Sequence, residues 1–187
     1  MDGFCIIEGL IPADVVEGVR DSVVAVQQAQ AADSEAALAK TRARGHRVGV
    51  EGVGGARQVV NHTQTFTPYL ADRRLMDLVA AVFGPHARIS CTDGVVNYPG
   101  CGRGYWHADW PYNQTNASHI PAPYPDATMH LSTIWMLSDF TPETGGTLVI
   151  PGSHKHPRNP SAGDLEGIDR DVPHPTEMHI TGKAGSV

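Results

Sequence analysis

Met129-His130-Leu131-Ser132-Thr133-Ile134-Trp135-Met136-Leu137 is followed, after Ser138-Asp139-Phe140, by Thr141-Pro142-Glu143-Thr144-Gly145-Gly146-Thr147-Leu148-Val149-Ile150-Pro151-Gly152-Ser153-His154-Lys155. The first run alternates, with Met129, Leu131, Thr133, Trp135 and Leu137 on one face, the period-2 pattern of a strand. An acidic turn separates it from a second strand, residues 146–150, which Pro151-Gly152 closes. Working backwards, residues 87–98 read as a further strand turned by Pro99-Gly100. Upstream of that the pattern becomes helical. Leu70, Leu75, Leu78, Val79 and Val82 face inward on a helix over residues 68–83, which Gly84-Pro85 stops. Pro12 opens an earlier helix whose apolar face, Val15, Val16, Val19, Val23, Val24 and Val26, runs to about Gln30. Residues 36–44 have helical composition, and residues 45–57 carry five glycines and read as a mobile loop. The opening Gly3-Phe4-Cys5-Ile6-Ile7-Glu8-Gly9-Leu10 reads as a short buried strand. Helices first and strands afterwards predict an α+β fold with a β-sandwich or barrel carrying the site.

Composition narrows the function. A chain of 187 residues has the length of one domain, so residues 1–187 are expected to form a single unit, mainly helical over 1–86 and strand-built over 87–187. The 20 glycines and 14 prolines occur without a repeat, as many turns and short strands require. Fourteen Lys and Arg against 20 Asp and Glu give a net charge of −6 without a basic cluster, which argues against nucleic acid as a partner. No apolar run approaches the ~20 residues of a membrane span, and no charged-then-apolar leader is seen, so no membrane partner is expected. Cys5, Cys91 and Cys101 are odd in number and without CxxC spacing, which fits a reducing cytoplasm and neither a disulfide framework nor a zinc finger. There is no GxSxG to suggest a hydrolase.

The residues with most chemistry in them are Tyr105-Trp106-His107-Ala108-Asp109-Trp110. In an extended segment, positions i and i+2 share a side, so His107 and Asp109 can hold one metal ion. Imidazole plus carboxylate begins the 2-His-1-carboxylate triad of non-haem Fe(II) enzymes. This HxD, followed downstream by Gly-Gly-Thr-Leu and Pro-Gly-Ser-His-Lys, resembles the phytanoyl-CoA dioxygenase family of Fe(II)/2-oxoglutarate oxygenases. The resemblance runs from Asp2-Gly3-Phe4 to the last residue and is strongest between Asn97 and Lys155.

The resemblance implies a double-stranded β-helix, the jelly-roll barrel shared with cupins, flanked by the N-terminal helices. It implies Fe(II), 2-oxoglutarate and O2 as cofactor and co-substrates, and a small organic molecule or acyl derivative as substrate. His107 and Asp109 match the first two iron ligands. Trp135 falls where the family often has a tryptophan lining the 2-oxoglutarate pocket, and Asn97 where related hydroxylases place an asparagine near the co-substrate. For both a plainer reading stands beside this one: Trp135 as a core aromatic, Asn97 as the cap of its turn. Relatives that halogenate leave the carboxylate position vacant, so Asp109 implies hydroxylation or a related oxidation. Tyr105, Trp106 and the loop Trp110-Pro111-Tyr112-Asn113-Gln114 are candidate walls of the substrate pocket.

The family pattern also has a third ligand, a distal histidine, then a basic residue that pairs with 2-oxoglutarate. Both follow a stretch like Gly182-Lys183-Ala184-Gly185-Ser186-Val187, so both are expected beyond Val187 and the barrel is expected to be incomplete, as in a C-terminally truncated chain. His119, His130, His154, His156, His174 and His179 read as surface or turn residues, with His119 over the substrate mouth and His130 on the face opposite Trp135. Two alternatives remain at this stage: a non-catalytic jelly-roll ligand-binding module or inactive truncated homologue, and a cupin-type metal enzyme in which His154 is a ligand. Oligomeric state and substrate identity are not legible.

Overall fold

The valines at 16, 19, 23 and 26 recur at helical spacing, and in the computed structural model they are the buried stripe of one long helix, α1 (Val16–Ala43). The structure describes residues 2–45, 48–110, 123, 126–158, 160 and 167–187. The predicted helix to Gln30 and the helical stretch 36–44 are one continuous element, because nothing between them breaks a helix: residues 31–39 are mainly alanine with Asp, Ser, Glu and Leu. The carbonyl of Pro12 starts α1 by accepting from the backbone N–H groups of Val15 and Val16, each at 3.1 Å.

The glycine-rich stretch 45–57 corrects the loop expectation. It carries β1 (Val53–Ala56), which pairs antiparallel with β2 (Gly94–Asn97), with Val53 opposite Asn97 and Ala56 opposite Gly94. Small residues are used because α1 lies directly on this hairpin-like pair. A Cβ at Gly54 would stand 2.5 Å from Gln27 Nε2, and one at Gly94 would stand 2.7 Å from Val23 Cγ1. Glycine here marks close approach rather than looseness. Two glutamines complete the joint. Buried Gln27 accepts from the Tyr98 hydroxyl at 2.7 Å, and Gln30 Oε1 accepts from Arg57 N at 2.8 Å while its Nε2 donates to Arg57 O at 3.1 Å. The core that results contains Ile11, Val16, Val19, Val23, Val26, Ala56, Val59 and Phe66, with Trp135, Leu137 and Ala184 packed against its margin. Each valine fully buried there contributes about 1.5 kcal/mol or more from the removal of apolar surface from water.

The helix predicted over 68–83 is two elements, α2 (Thr67–Leu70) and α3 (Arg73–Phe83). Asp72 divides them: its carboxylate accepts from Arg74 N at 2.8 Å and caps α3. Leu75 is buried and Leu70, Leu78 and Val79 are half-buried, whereas Val82 is exposed against expectation, on the last turn before Gly84 ends the helix at φ 65°.

The strands are shorter than their sequence patterns. Residues 87–98 form a strand only over β2, and residues 146–150 only over β3 (Leu148–Val149), which pairs antiparallel with β4 (Met178–His179). Residues 129–137 form no named strand. Leu131, Trp135 and Leu137 are partly buried on one side, as the alternation requires, but Met129 and Thr133 are exposed and Met136 is buried on the other side. Alternation encodes two faces but not a neighbour, and here the backbone pairing on this run begins only at Met136.

That pairing is with residues 182–187, which thread between two other segments. On one side Met136 N donates to Ser186 O (2.9 Å), Gly185 N to Met136 O (2.8 Å) and Phe140 N to Gly182 O (2.8 Å). On the other, Ile7 and Val187 exchange both backbone hydrogen bonds (2.8 and 3.0 Å), and Ile11 N donates to Gly185 O (2.9 Å). The opening residues are therefore held by the last ones without forming a named strand of their own. Ser186 is 1% exposed, and the Asp139 carboxylate fixes the segment by accepting from Ala184 N at 2.9 Å and Lys183 Nζ at 2.7 Å. Helices and strands are both present, but the expected order of helices first and strands afterwards does not hold, because β1 precedes α2 and α3. The strands described make two separate two-stranded antiparallel sheets and one isolated bridge. Among the described residues no helix is long and apolar enough to cross a membrane.

Candidate functional site

Residues 103–109 run alongside residues 170–177. Trp106 N donates to Arg170 O (2.8 Å) and Trp106 Nε1 to Val172 O (2.9 Å), which seats this tryptophan on the neighbouring segment. Arg103 makes a two-pronged pair with Glu177 at 2.9 and 2.7 Å and lies over the Trp106 ring, 5.1 Å from its centre. Arg170 lies over the Tyr105 ring at 4.4 Å. Hydrogen bonding from Arg103 holds the Glu177 carboxyl below the usual carboxylate range. The backbone of this segment is thus clamped immediately before His107. Tyr105 and Trp106, candidates for the pocket wall, are engaged in these contacts. The remaining wall candidates, Pro111, Tyr112, Asn113 and Gln114, and the loop histidine His119, lie outside the described residues.

The structure brings His107 and Asp109 together, with Nε2 of His107 3.6 Å from Oδ1 of Asp109 and both side chains about half exposed. Nδ1 of His107 lies 3.0 Å from Tyr105 O. A carbonyl only accepts, so Nδ1 carries a proton and Nε2 is the nitrogen that faces Asp109. Metal-bound histidines use their second nitrogen in this way. Oδ2 of Asp109 accepts from Ser132 Oγ, which leaves Oδ1 facing the imidazole. Two donors 3.6 Å apart both reach a single ion that sits about 2.1 Å from each, the usual distance to nitrogen and carboxylate ligands. The residues present therefore fit one side of a metal site. Among the described residues no group of three or more His, Cys, Asp or Glu side chains assembles to hold an ion.

His130, expected as a surface or turn residue, has its Nε2 3.1 Å from Ser132 Oγ and 3.9 Å from Asp109 Oδ2. The signal was present in the alternation, which puts His130 and Ser132 on the face opposite Trp135. Trp135 packs on the α1 core and its Nε1 donates to Thr133 Oγ1 at 3.1 Å. Asn97, at the end of β2, donates from Nδ2 to Gly145 O at 3.2 Å, joining the first sheet to the turn before β3. His154 lies against Gly3, where a Cβ would stand 2.2 Å from its Nδ1, and the adjacent Gly152 N donates to Asp2 O at 2.8 Å. His179 Nδ1 meets Gly146 O at 3.0 Å, and His174 Nδ1 accepts from Thr176 N at 3.2 Å.

The family profile described as Phytanoyl-CoA dioxygenase (PhyH) matches residues 1–187, the whole chain. The chain belongs to the phytanoyl-CoA dioxygenase family. No curated protein sequence matches it significantly. Among solved structures it is similar to HygX from Streptomyces hygroscopicus, crystallised with nickel, 2-oxoglutarate and hygromycin B bound. The TM-score is 0.60 at 16% sequence identity, and the alignment covers 99% of this chain and 72% of HygX. The two share a fold, and the family assignment makes this chain a 2-oxoglutarate-dependent dioxygenase.

Proposed function

We propose that this dioxygenase uses non-haem Fe(II), 2-oxoglutarate and O2 to hydroxylate a small organic molecule or acyl derivative, with His107 and Asp109 as two of its three protein ligands. The observation that carries this reading is the convergence of His107 Nε2 and Asp109 Oδ1 while the other polar atom of each side chain is already engaged. The architecture is assigned to the double-stranded β-helix of the family. HygX, with nickel, 2-oxoglutarate and hygromycin B bound, supports the same class of co-substrate and substrate.

When bound, iron with 2-oxoglutarate supplies the oxygen-activating chemistry. The chain's own residues do the rest. Tyr105 O fixes the His107 tautomer, and the carboxylate of Asp109 contributes one negative charge and one oxygen ligand. The clamp made by Arg103, Trp106, Glu177 and Arg170 holds the ligand segment against residues 170–177, so that orientation does not have to be bought at each turnover. Asn97 and Trp135 are assigned to the co-substrate pocket on the family pattern. Their own contacts tie Asn97 to Gly145 and Trp135 to the α1 core.

The test is anaerobic addition of Fe(II) and then 2-oxoglutarate, following the visible charge-transfer band of the chelate, with His107→Ala alongside. A band that is lost in the variant is the expected result. Absence of a band, or a band that His107→Ala leaves unchanged, overturns the assignment. A band with no succinate formed on admitting oxygen, across candidate substrates, supports a ligand-binding module instead.

A further inference from the structure

We infer that Ser132, backed by His130, is a positioning residue that keeps Asp109 a one-oxygen ligand; this rests on the metal-site reading above. Proton counting fixes the direction of the hydrogen bonds. A carboxylate has only lone pairs to offer, so the single hydroxyl proton of Ser132 goes to Asp109 Oδ2. The 3.1 Å contact between Ser132 Oγ and His130 Nε2 must then be supplied with a proton by the imidazole. The result is a directed chain from His130 Nε2–H to Ser132 Oγ–H to Asp109 Oδ2, with His130 Nε2 a further 3.9 Å from the same oxygen.

The two oxygens of Asp109 are therefore not equivalent. Oδ2 is committed to Ser132, and Oδ1 faces His107 Nε2 at 3.6 Å. A carboxylate free to rotate can offer both oxygens to one cation, and a second oxygen on the metal occupies a position that the co-substrate or oxygen needs. Ser132 removes that option, and His107 is held equivalently through Tyr105 O. The placement follows from the strand alternation: residues 130 and 132 share one side of their segment, while Trp135 and Leu137 on the other side pack against the core. Ser132 itself is exposed, so its replacement removes a hydrogen bond without opening the interior.

The experiment measures Mn(II) binding to the chain by electron paramagnetic resonance, and the absorption spectrum of the Co(II) form, for the wild type, Ser132→Ala, Ser132→Thr and His107→Ala. Thermal unfolding is recorded for each. Loss of an oriented partner of a metal ligand typically weakens affinity about 10–100-fold, and that loss is expected for Ser132→Ala. Ser132→Thr, which keeps the hydroxyl, is expected to restore affinity, and the Co(II) spectrum of Ser132→Ala is expected to change shape. Binding abolished by His107→Ala but unaltered by Ser132→Ala, with an unchanged Co(II) spectrum, overturns the positioning role and leaves the metal site standing. Binding that His107→Ala does not weaken, or no binding by the wild type, overturns the metal-site reading and this inference with it. A fall in melting temperature for Ser132→Ala that accounts for the whole loss of binding assigns Ser132 to structure alone, and also overturns it.

Discussion

Substituting Gly94 by alanine tests how closely α1 is pressed on the first sheet. Gly94 is outside the left-handed region, so only contact opposes a side chain there. The new methyl would lie 2.7 Å from Val23 Cγ1, against an optimum of about 3.5–4.0 Å for two carbons, so the helix or the strand must yield by about 1 Å. Its other neighbours, Ala56 Cβ at 3.4 Å and Val59 Cγ2 at 3.5 Å, are at or near ordinary contact. Overpacking of a core costs about 1–3 kcal/mol, and alanine recovers about 0.5–1 kcal/mol of the strand penalty of glycine. The expected net loss is about 1–2 kcal/mol. Val23→Ala removes the atom that clashes. In that background Gly94→Ala is expected to be neutral or slightly stabilising, a coupling of about 1–2 kcal/mol between touching residues. Urea unfolding followed by tryptophan fluorescence reads both, since Trp135 lies against this core. Equal destabilisation by Gly94→Ala in both backgrounds, or none in the wild type, would refute the close-approach argument.

Two further outcomes are expected. Gly185 combines φ of +93° with a Cβ position 2.3 Å from the carbonyl oxygen of Ile11, so Gly185→Ala meets both strain and backbone. A loss of about 3 kcal/mol, or roughly 6–12 °C in melting temperature at this chain length, is expected, with faster amide exchange at Ile7 and Ile11. A melting temperature within a degree of the wild type would show that residues 182–187 do not hold the N-terminal segment. Glu177 has its carboxyl depressed by Arg103, so its contribution to stability is present above the unfolded value of about 4.3 and is lost as pH falls through the lower folded value. Melting temperatures recorded downward from pH 6 should therefore drop more steeply below about pH 4.3 for the wild type than for Glu177→Gln; parallel curves would remove the pair from the stability account.

The helical part of the fold was legible because its signals are local. Valine spacing marks the buried face of α1, and Gly84-Pro85 marks the end of α3. The break at Asp72 was equally local, an acidic cap before Arg73-Arg74-Leu75, but continuous hydrophobicity on either side hid it. β1 was misread because its glycines answer to Gln27 and the neighbouring strand, residues remote in sequence that no window over 45–57 contains. The site divides the same way. His107 and Asp109 are two apart and can be paired by strand geometry alone. Ser132 and His130 join them only because segments 105–109 and 129–137 lie side by side, a tertiary fact. The alternation supplied half of it by separating these two from Trp135.

The seam formed by residues 182–187 has a consequence for the order in which the protein is made. Ile7 exchanges its backbone hydrogen bonds with Val187 and Ile11 donates to Gly185, so segments far apart in sequence close on each other. During synthesis α1 and the first sheet emerge early, whereas the backbone hydrogen bonds of Ile7 and Ile11 wait for residues 185–187 to leave the ribosome. Contacts of such long sequence separation form slowly. Until then Ile11, 1% exposed in the finished fold, has its α1 neighbours but lacks the Gly185 side of its surroundings. The N-terminal segment is thus only partly enclosed until Gly185 emerges, and chaperone demand should track the time from the emergence of Ile11 to that of Gly185.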